Sequence, residues 1–494
     1  MRILGPILLL ALAWGIGPAL PALLEGKLLG HGLTDLYPSV WGMWAFVDAQ
    51  PGLPNHTDWI GFPSGMGYYY SSPIKGWLAS GLLPIAGLVG TWNFLLIAAR
   101  VATVVCAWGA ARAWGLGARG SLAAAAVYGC SPFFHGYAVE GIAEGTDGWT
   151  LALWLWALGA KRFRTAALPF ALTILSSWYL GMVACLLLPM ASLRDRKAWW
   201  SGLGLLLVAP ALIQFIGAFP GNVPIAEAVR QAMGASLTIP TPGIHEGLHP
   251  FAINTYVGFT VLTAALLSRT RWVIAAAVPA FLSLGVGPIY DLPVAELVRF
   301  PYRWHAATLL LLAPAVAITA NRYRWGALLA PLIVIEGLCL SPIEPWIPGA
   351  SAAIPPHVQA IDGPVLALPG PFSMAPGHIN RSRARARYLM FHQTSHGQPS
   401  PWVPDFNSVG VGTAPTQPLL KQFIGLDPLA EMPIPASLPF QGLTEIGVTN
   451  IELHPSQLGA RRTQAVIEQL TAAGWKPVYA DSNAHIYRAP SQTQ

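Results

Sequence analysis

Apolar runs recur along the first 340 or so residues, separated by short polar links, and several approach the roughly 20 residues that a helix needs to cross a bilayer. The pattern predicts a first span over ILGPILLLALAWGIGPALPALL. Further spans are predicted near residues 92–111, 120–134, 148–160, 165–178, 179–192, 199–217, 253–268, 272–286, 305–320 and 325–341, about eleven in all. The first run, with its basic start and its small residues near Ala19 and Ala22, also fits a signal peptide. Its length and continuity favour a retained span. A shorter run over 76–88 either spans or re-enters.

Past Pro345 the pattern changes. The tail is polar and rich in Pro and Gly, with strand-like runs at PVLALP, TEIGVTNIEL and HIYRA and an amphipathic helix over Thr463–Ala473. The predicted fold is mainly α: a polytopic transmembrane helical bundle over 1–345, followed by a small extracytoplasmic α/β domain over 346–494. A large polar loop, residues 25–75, interrupts the apolar half. Within it Pro38 and Ser39 suit a helix start, and Val40, Met43, Trp44 and Val47 recur at helical spacing. Trp41, Trp44 and Phe46 suggest that this helix lies along the membrane surface, with its rings at headgroup level.

Composition and charge sharpen the picture. The 494 residues are 54% hydrophobic and only 10% charged, which excludes an ordinary soluble enzyme. The net charge of +6 reports orientation rather than a nucleic-acid partner. The basic clusters Arg112 and Arg119, Lys161 to Arg164, Arg194 to Lys197, Arg269 and Arg271, and Arg322 and Arg324 all fall on one side of the predicted bundle, as the positive-inside rule requires. The opening loop, the segments 135–147, 218–252 and 287–304, and the tail then share the outer side of a cytoplasmic membrane. All four cysteines, Cys106, Cys130, Cys185 and Cys339, lie in apolar runs, where thiols behave as small hydrophobes.

The outer segments hold the residues suited to chemistry. Asp35, Asp48 and Asp58 lie in the first loop. Glu140, Glu144 and Asp147 follow at i, i+4 and i+7, which on a helix would share one face beside the membrane. Carboxylates so placed serve as general bases or metal ligands, and solvated loop acids are the plainer reading. Arg299 and Arg303 flank Phe300-Pro301-Tyr302, with His305 next, where the chain re-enters the bilayer. Two guanidiniums there suit a phosphate or pyrophosphate through forked charged hydrogen bonds, or else anchor to headgroups. Arg230 and Lys75 are weaker members of the same class. Arg381, Arg383, Arg385 and Arg387 form the densest basic run of the tail, a solvated face or a contact for anionic headgroups.

Two motif matches conflict with their context. Gly115-Leu116-Gly117-Ala118-Arg119-Gly120 fits a dinucleotide fingerprint but joins two spans and follows no strand. His245-Glu246-Gly247-Leu248-His249 fits a zinc-protease signature, yet Gly247 interrupts the helix that it needs and Pro250 ends it.

In TDLYPSVWGMW, GLPNHTDWIGFPSG, SPFFHGYAVEGIAEGTDGW, RFPYRWH and the tail's GPVLALPG and RYLMFHQTSHGQP, nearly the whole chain resembles the glycosyltransferase C (GT-C) superfamily. These polytopic enzymes take sugars from polyprenyl-phosphate carriers. The resemblance implies a sugar-phosphate lipid donor, a lipid, glycan or protein acceptor, and membrane lipids as surroundings. Asp35 would be the first-loop carboxylate that orients or deprotonates the acceptor. Glu144, or Glu140, would place the acceptor or, with Asp35, a divalent cation such as Mg or Mn. Arg299 and Arg303 would hold the donor phosphate, with Tyr302 and His305 beside them. The first loop lacks an adjacent acidic pair, which departs from the metal-binding pattern. The implied reaction is an inverting single displacement. Competing readings are a transporter or lipid-binding membrane protein, for which Arg100 is the strong mid-span charge, and a zinc-dependent membrane protease.

Overall fold

The computed structural model describes residues 4–49, 56–218, 255–285, 301–370, 379–402, 417–423, 426 and 433–490. The chain divides into two units. The first comprises Met1–His31, Ser71–Leu212 and Pro224–Ser351, and the second Gly32–Tyr70, Ile213–Val223 and Ala352–Gln494.

The first unit is helical and follows the predicted runs closely. Its helices include Leu4–Ile16, Pro73–Ala113, Ala118–Gly129, Gly148–Gly159, Ala167–Ser176, Trp178–Arg194, Phe259–Ser268, Arg271–Leu282, His305–Arg322 and Leu329–Cys339. Among the described residues, three stretches are long and apolar enough to cross a membrane: Gly5–Leu24, Pro73–Ala113 and Pro301–Arg322. Their surroundings agree with that role. Leu9, Leu24, Ile85, Leu193, Leu206 and Ile274 are each more than 70% exposed, a density of bare apolar surface that lipid covers and water does not tolerate. This unit is an integral membrane fold.

Local chemistry sets the helix ends. Ser131 and Ser177 are N-caps, each hydroxyl accepting the backbone N–H three residues on, from Phe134 and Leu180 respectively. The short run 76–88, expected to be separate from 92–111, is instead joined to it in one 41-residue helix that breaks its geometry only at Gly87 (φ 65°, ψ 179°). Arg100 is buried within the bundle, and both of its terminal nitrogens are engaged. Its Nη2 donates to the Trp14 carbonyl (2.7 Å), its Nη1 to His135 Nδ1 (3.0 Å), and its guanidinium covers the Trp14 ring. The same histidine then donates from Nε2 to the Glu344 carbonyl (2.8 Å). This mid-span charge therefore ties helices together.

The second unit is built on a four-stranded sheet. Its strands Val365–Leu368, Asn450–Leu453, His485–Arg488 and Lys476–Ala480 lie side by side in that order, the first pair parallel and the others antiparallel. The helix Ala460–Ala472 buries Val466 and Leu470 in the same core as Leu366, Ile451, Leu453 and Trp475. The predicted strands and amphipathic helix of the tail are all present; the strand Lys476–Ala480 and the helix Ile379–His396 were not foreseen.

One expectation is overturned. The helix of the opening loop runs Leu36–Asp48, but two of the three rings expected at headgroup level are not exposed. Trp41 and Phe46 are buried, and Trp41 Nε1 donates to Gln393 Oε1 (2.7 Å) on the helix Ile379–His396. Gln393 in turn donates to the Trp59 carbonyl (2.6 Å). The aromatic face that the sequence offers to headgroups is thus used as core, because an indole with a satisfied N–H packs as well in protein as at an interface.

Candidate functional site

The SPFFHGYAVEGIAEGTDGW stretch builds a concentrated polar site among the described residues of the first unit. Its helix Pro132–Glu140 ends at Gly141, which adopts the left-handed conformation (φ 68°) that a side chain would disfavour. Glu144–Thr146 then forms a single tight turn before the helix Gly148–Gly159 begins. Glu140, Glu144 and Asp147 therefore do not share one helical face as their spacing predicts. Gly141 breaks the helix, and each acid has a separate environment.

Asp147 is buried and engaged on all sides. Lys75 Nζ lies 2.8 Å from Oδ2, Ser72 Oγ donates to the same oxygen (3.0 Å), and Trp149 Nε1 donates to Oδ1 (3.2 Å). Lys75 also donates to Thr146 Oγ1 (2.7 Å) and to the Ala143 carbonyl. Lys75, expected among the phosphate binders, thus spends its charge riveting the loop 143–147 to the start of the long helix. Gly145 lets this loop pass flat against Tyr137, since a Cβ there would fall 1.9 Å from the ring.

Held by that rivet, Glu144 retains 17% side-chain exposure and meets Arg303. Arg303 Nη2 donates to Glu144 Oε1 (3.1 Å), and Ser71 Oγ donates to Oε2 (3.0 Å). The guanidinium lies 3.9 Å from the centroid of the Tyr179 ring, with Tyr137 and Tyr302 farther out at 5.7 and 5.9 Å. Its Nε donates to Tyr302 Oη (3.3 Å). The cage fixes the plane of the guanidinium by stacking, so the edge toward Glu144 is presented as a rigid fork. Such a fork can exchange a carboxylate for a phosphate oxygen. His305, two residues on, is buried against Phe133 and is part of the packing around the fork.

A divalent cation at Glu144 is not supported by its neighbours. Asp147 is already neutralised by Lys75, and no group of three histidines, cysteines or acids surrounds Glu144 among the described residues. Glu140 is buried separately.

Asp35 belongs to the second unit. It precedes the helix Leu36–Asp48, and its Oδ1 accepts from Arg387 Nη2 (2.7 Å), while Arg387 also donates to the Leu33 carbonyl. This arginine of the basic tail run is therefore a partner of the first-loop acid, and the pair keeps a carboxylate that is 35% exposed. Asp48 and Asp58 are exposed, the latter beside His56 (3.2 Å), as solvated loop acids are. Arg230, His245, Glu246, His249 and Arg299 lie outside the described residues.

Sequence reading missed Tyr179, Ser71 and Lys75's true partner, Asp147. Only the proximity of distant segments identifies them. It also missed Glu336, buried in the first unit, which accepts from Tyr256 Oη (2.8 Å) and from the Phe259 and Thr260 N–H groups. That acid satisfies the exposed end of the helix Phe259–Ser268, a structural duty.

No protein-family model matches the chain, and neither does any curated protein sequence. Solved structures do. The arabinofuranosyltransferase AftD from Mycobacteria is similar over 100% of this chain and 40% of that one, at TM-score 0.58 and 16% identity. The apo oligosaccharyltransferase of Archaeoglobus fulgidus is similar over 99% of this chain and 74% of that one, at TM-score 0.52 and 12% identity. The chain thus spans about two fifths of the length of the mycobacterial enzyme. Its fold is the GT-C fold that the sequence resembles.

Proposed function

We propose that this chain is a membrane glycosyltransferase that takes a hexosyl or pentosyl group from a polyprenyl-phosphate donor and passes it to an acceptor outside the cytoplasm. The observation that carries the reading is the Glu144–Arg303 pair: a caged, stacked guanidinium whose edge meets a partly exposed carboxylate. A structural ion pair needs no such cage. A lipid-phosphate site at a membrane surface benefits from one, because the leaving phosphate gains charge as the glycosidic bond breaks. The GT-C fold supports the reading further, since both similar structures are named as glycosyl-transferring enzymes.

In the proposed reaction Arg303 holds the donor phosphate and Glu144 yields that position when the donor binds. Asp35, by its place after the first span, is the proposed acceptor-side carboxylate, and Arg387 orients it. The acceptor hydroxyl passes its proton to Asp35 as its oxygen attacks the anomeric carbon, the bond to the phosphate breaks with the phosphate leaving against Arg303, and configuration inverts. The positive-inside pattern supports about eleven spans in a cytoplasmic membrane with the tail outside. The test is transfer of labelled sugar from a polyprenyl-phosphate donor by the purified full chain, with Asp35→Asn and Arg303→Ala in parallel. Transfer that vanishes in both variants while folding persists supports the assignment; full activity in either removes that residue from the mechanism.

A further inference from the structure

We propose that His357, His392, Glu452 and His454 form a zinc site in the second unit. The inference stands apart from the proposed reaction and uses none of its residues.

The four side chains come from three separate stretches. His357 lies in the short turn Pro356–Ala360, His392 in the helix Ile379–His396, and Glu452 in the strand Asn450–Leu453. His454 follows two residues later, on the same face as Glu452 by the two-residue period of a strand. All four are at least nine-tenths buried, with residual exposures of 3%, 2%, 2% and 8%. Ligand atoms of His357, His392 and Glu452 lie within 4.8 Å of one another. His357 Nε2 is 2.9 Å and His454 Nε2 3.2 Å from Glu452 Oε1. Zinc bonds of 2.0–2.1 Å in a tetrahedron bring ligand atoms to about 3.3 Å from each other, so the cluster needs only small side-chain shifts to close on a metal.

Unmet hydrogen-bonding capacity makes the stronger case. Both ring nitrogens of His392 are buried without a hydrogen-bond partner, as are His357 Nδ1 and His454 Nε2, the last despite its closeness to the carboxylate. A buried imidazole with neither nitrogen satisfied is costly, and native interiors rarely leave one so. Metal coordination gives such a nitrogen a partner and gives the buried carboxylate a counter-charge. Three imidazoles and one carboxylate suit zinc better than magnesium or calcium, which prefer oxygen. A cavity of about 40 Å³ lined in part by Glu452, Gln393, His396 and Trp402 adjoins the cluster and holds room for about two water molecules. The site would pin the helix Ile379–His396 to the sheet. The same helix carries Arg387, the partner of Asp35.

The test uses the untagged full chain in detergent, equilibrated with Zn²⁺ and dialysed. Elemental analysis is expected to find about one zinc per chain, and replacement with Co²⁺ to give the intense visible bands of a tetrahedral ion. X-ray absorption on the wild-type zinc form should show a nitrogen and oxygen shell with scattering from three imidazoles, a readout that needs no variant to fold. His392→Ala and Glu452→Gln should each cut retained zinc more than tenfold, whereas the His245→Ala/His249→Ala double variant should keep it. Failure of the wild-type chain to retain zinc would leave only a histidine–carboxylate cluster and overturn the proposal. Loss of zinc in the His245→Ala/His249→Ala variant with retention in His392→Ala would overturn it equally, by moving the metal to the other motif.

Discussion

Arg303 Nη2 lies 3.1 Å from Glu144 Oε1 although 159 residues separate them. Neither residue is held by the other alone: Tyr179 stacks on the guanidinium, and Ser71 hydrogen-bonds the far carboxylate oxygen. Glu144→Gln should therefore leave Arg303 in place but without its counter-charge. Because Glu144 keeps some solvent contact, the expected loss is about 1–3 kcal/mol, below what breaking a fully buried pair costs. Thermal unfolding in detergent measures it. An unchanged midpoint would mean that the pair is screened like an exposed one.

Lys75 and Asp147 are buried more deeply than Glu144 and Arg303, so their disruption should cost more. Lys75→Met leaves Asp147 as an uncompensated interior charge, and a loss of about 3–5 kcal/mol is expected. Adding Asp147→Asn should recover a large part of it. A double variant as unstable as the single one would show that the lysine matters through its contacts to Thr146 and Ala143 instead.

Gly145→Ala places a methyl group 1.9 Å from the Tyr137 ring carbon Cδ1. The tyrosine cannot yield without disturbing the cage around Arg303, so the variant should lose donor-phosphate affinity as well as stability. Titration with a short-chain polyprenyl phosphate, read beside thermal unfolding, separates the two effects. Wild-type behaviour in both would argue that the loop moves freely.

Asp481 closes the turn between the last two strands, accepting from the Asn483 and Ala484 N–H groups (2.7 and 2.8 Å) and from Tyr479 Oη (2.8 Å). The Ala484 hydrogen bond first, then those of Tyr479 and Asn483, hold its carboxyl down to about 2 from the usual 3.8. A depressed carboxylate contributes stability that is complete above its unfolded value and disappears as pH falls through the folded one. Hydrogen exchange of the Asn483 and Ala484 amides should accordingly lose protection between pH 4 and 2, over and above the intrinsic pH trend. In Asp481→Asn, whose amide oxygen still accepts but does not titrate, that extra loss should vanish.

Much of the fold was legible because membrane helices declare themselves by continuous apolar runs. Most helices of the first unit overlap a predicted span, although 76–88 and 92–111 merge into one helix, and the runs PVLALP, TEIGVTNIEL and HIYRA each hold a strand, at 365–368, 450–453 and 485–488. Glu144 and Arg303 were each legible as candidate site residues in an apolar chain, though not as partners. What failed did so for local reasons. The spacing of Glu140, Glu144 and Asp147 suggested one face, but a left-handed glycine lay between them. Trp41 and Phe46 looked interfacial, but the second unit needed a core. The four buried residues at 357, 392, 452 and 454 carry no metal-motif spacing, and only the packing of three separate stretches brings them together.

The most direct measurement of the central proposal is sugar transfer by the purified full chain from a polyprenyl-phosphate donor, comparing wild type with Arg303→Lys and Arg303→Ala. The account predicts transfer by wild type, a loss of at least about tenfold with lysine, whose point charge lacks the stacked fork, and background rates with alanine at an unaltered fold. Undiminished transfer by Arg303→Ala, or no transfer by wild type from any polyprenyl-phosphate sugar, would contradict it.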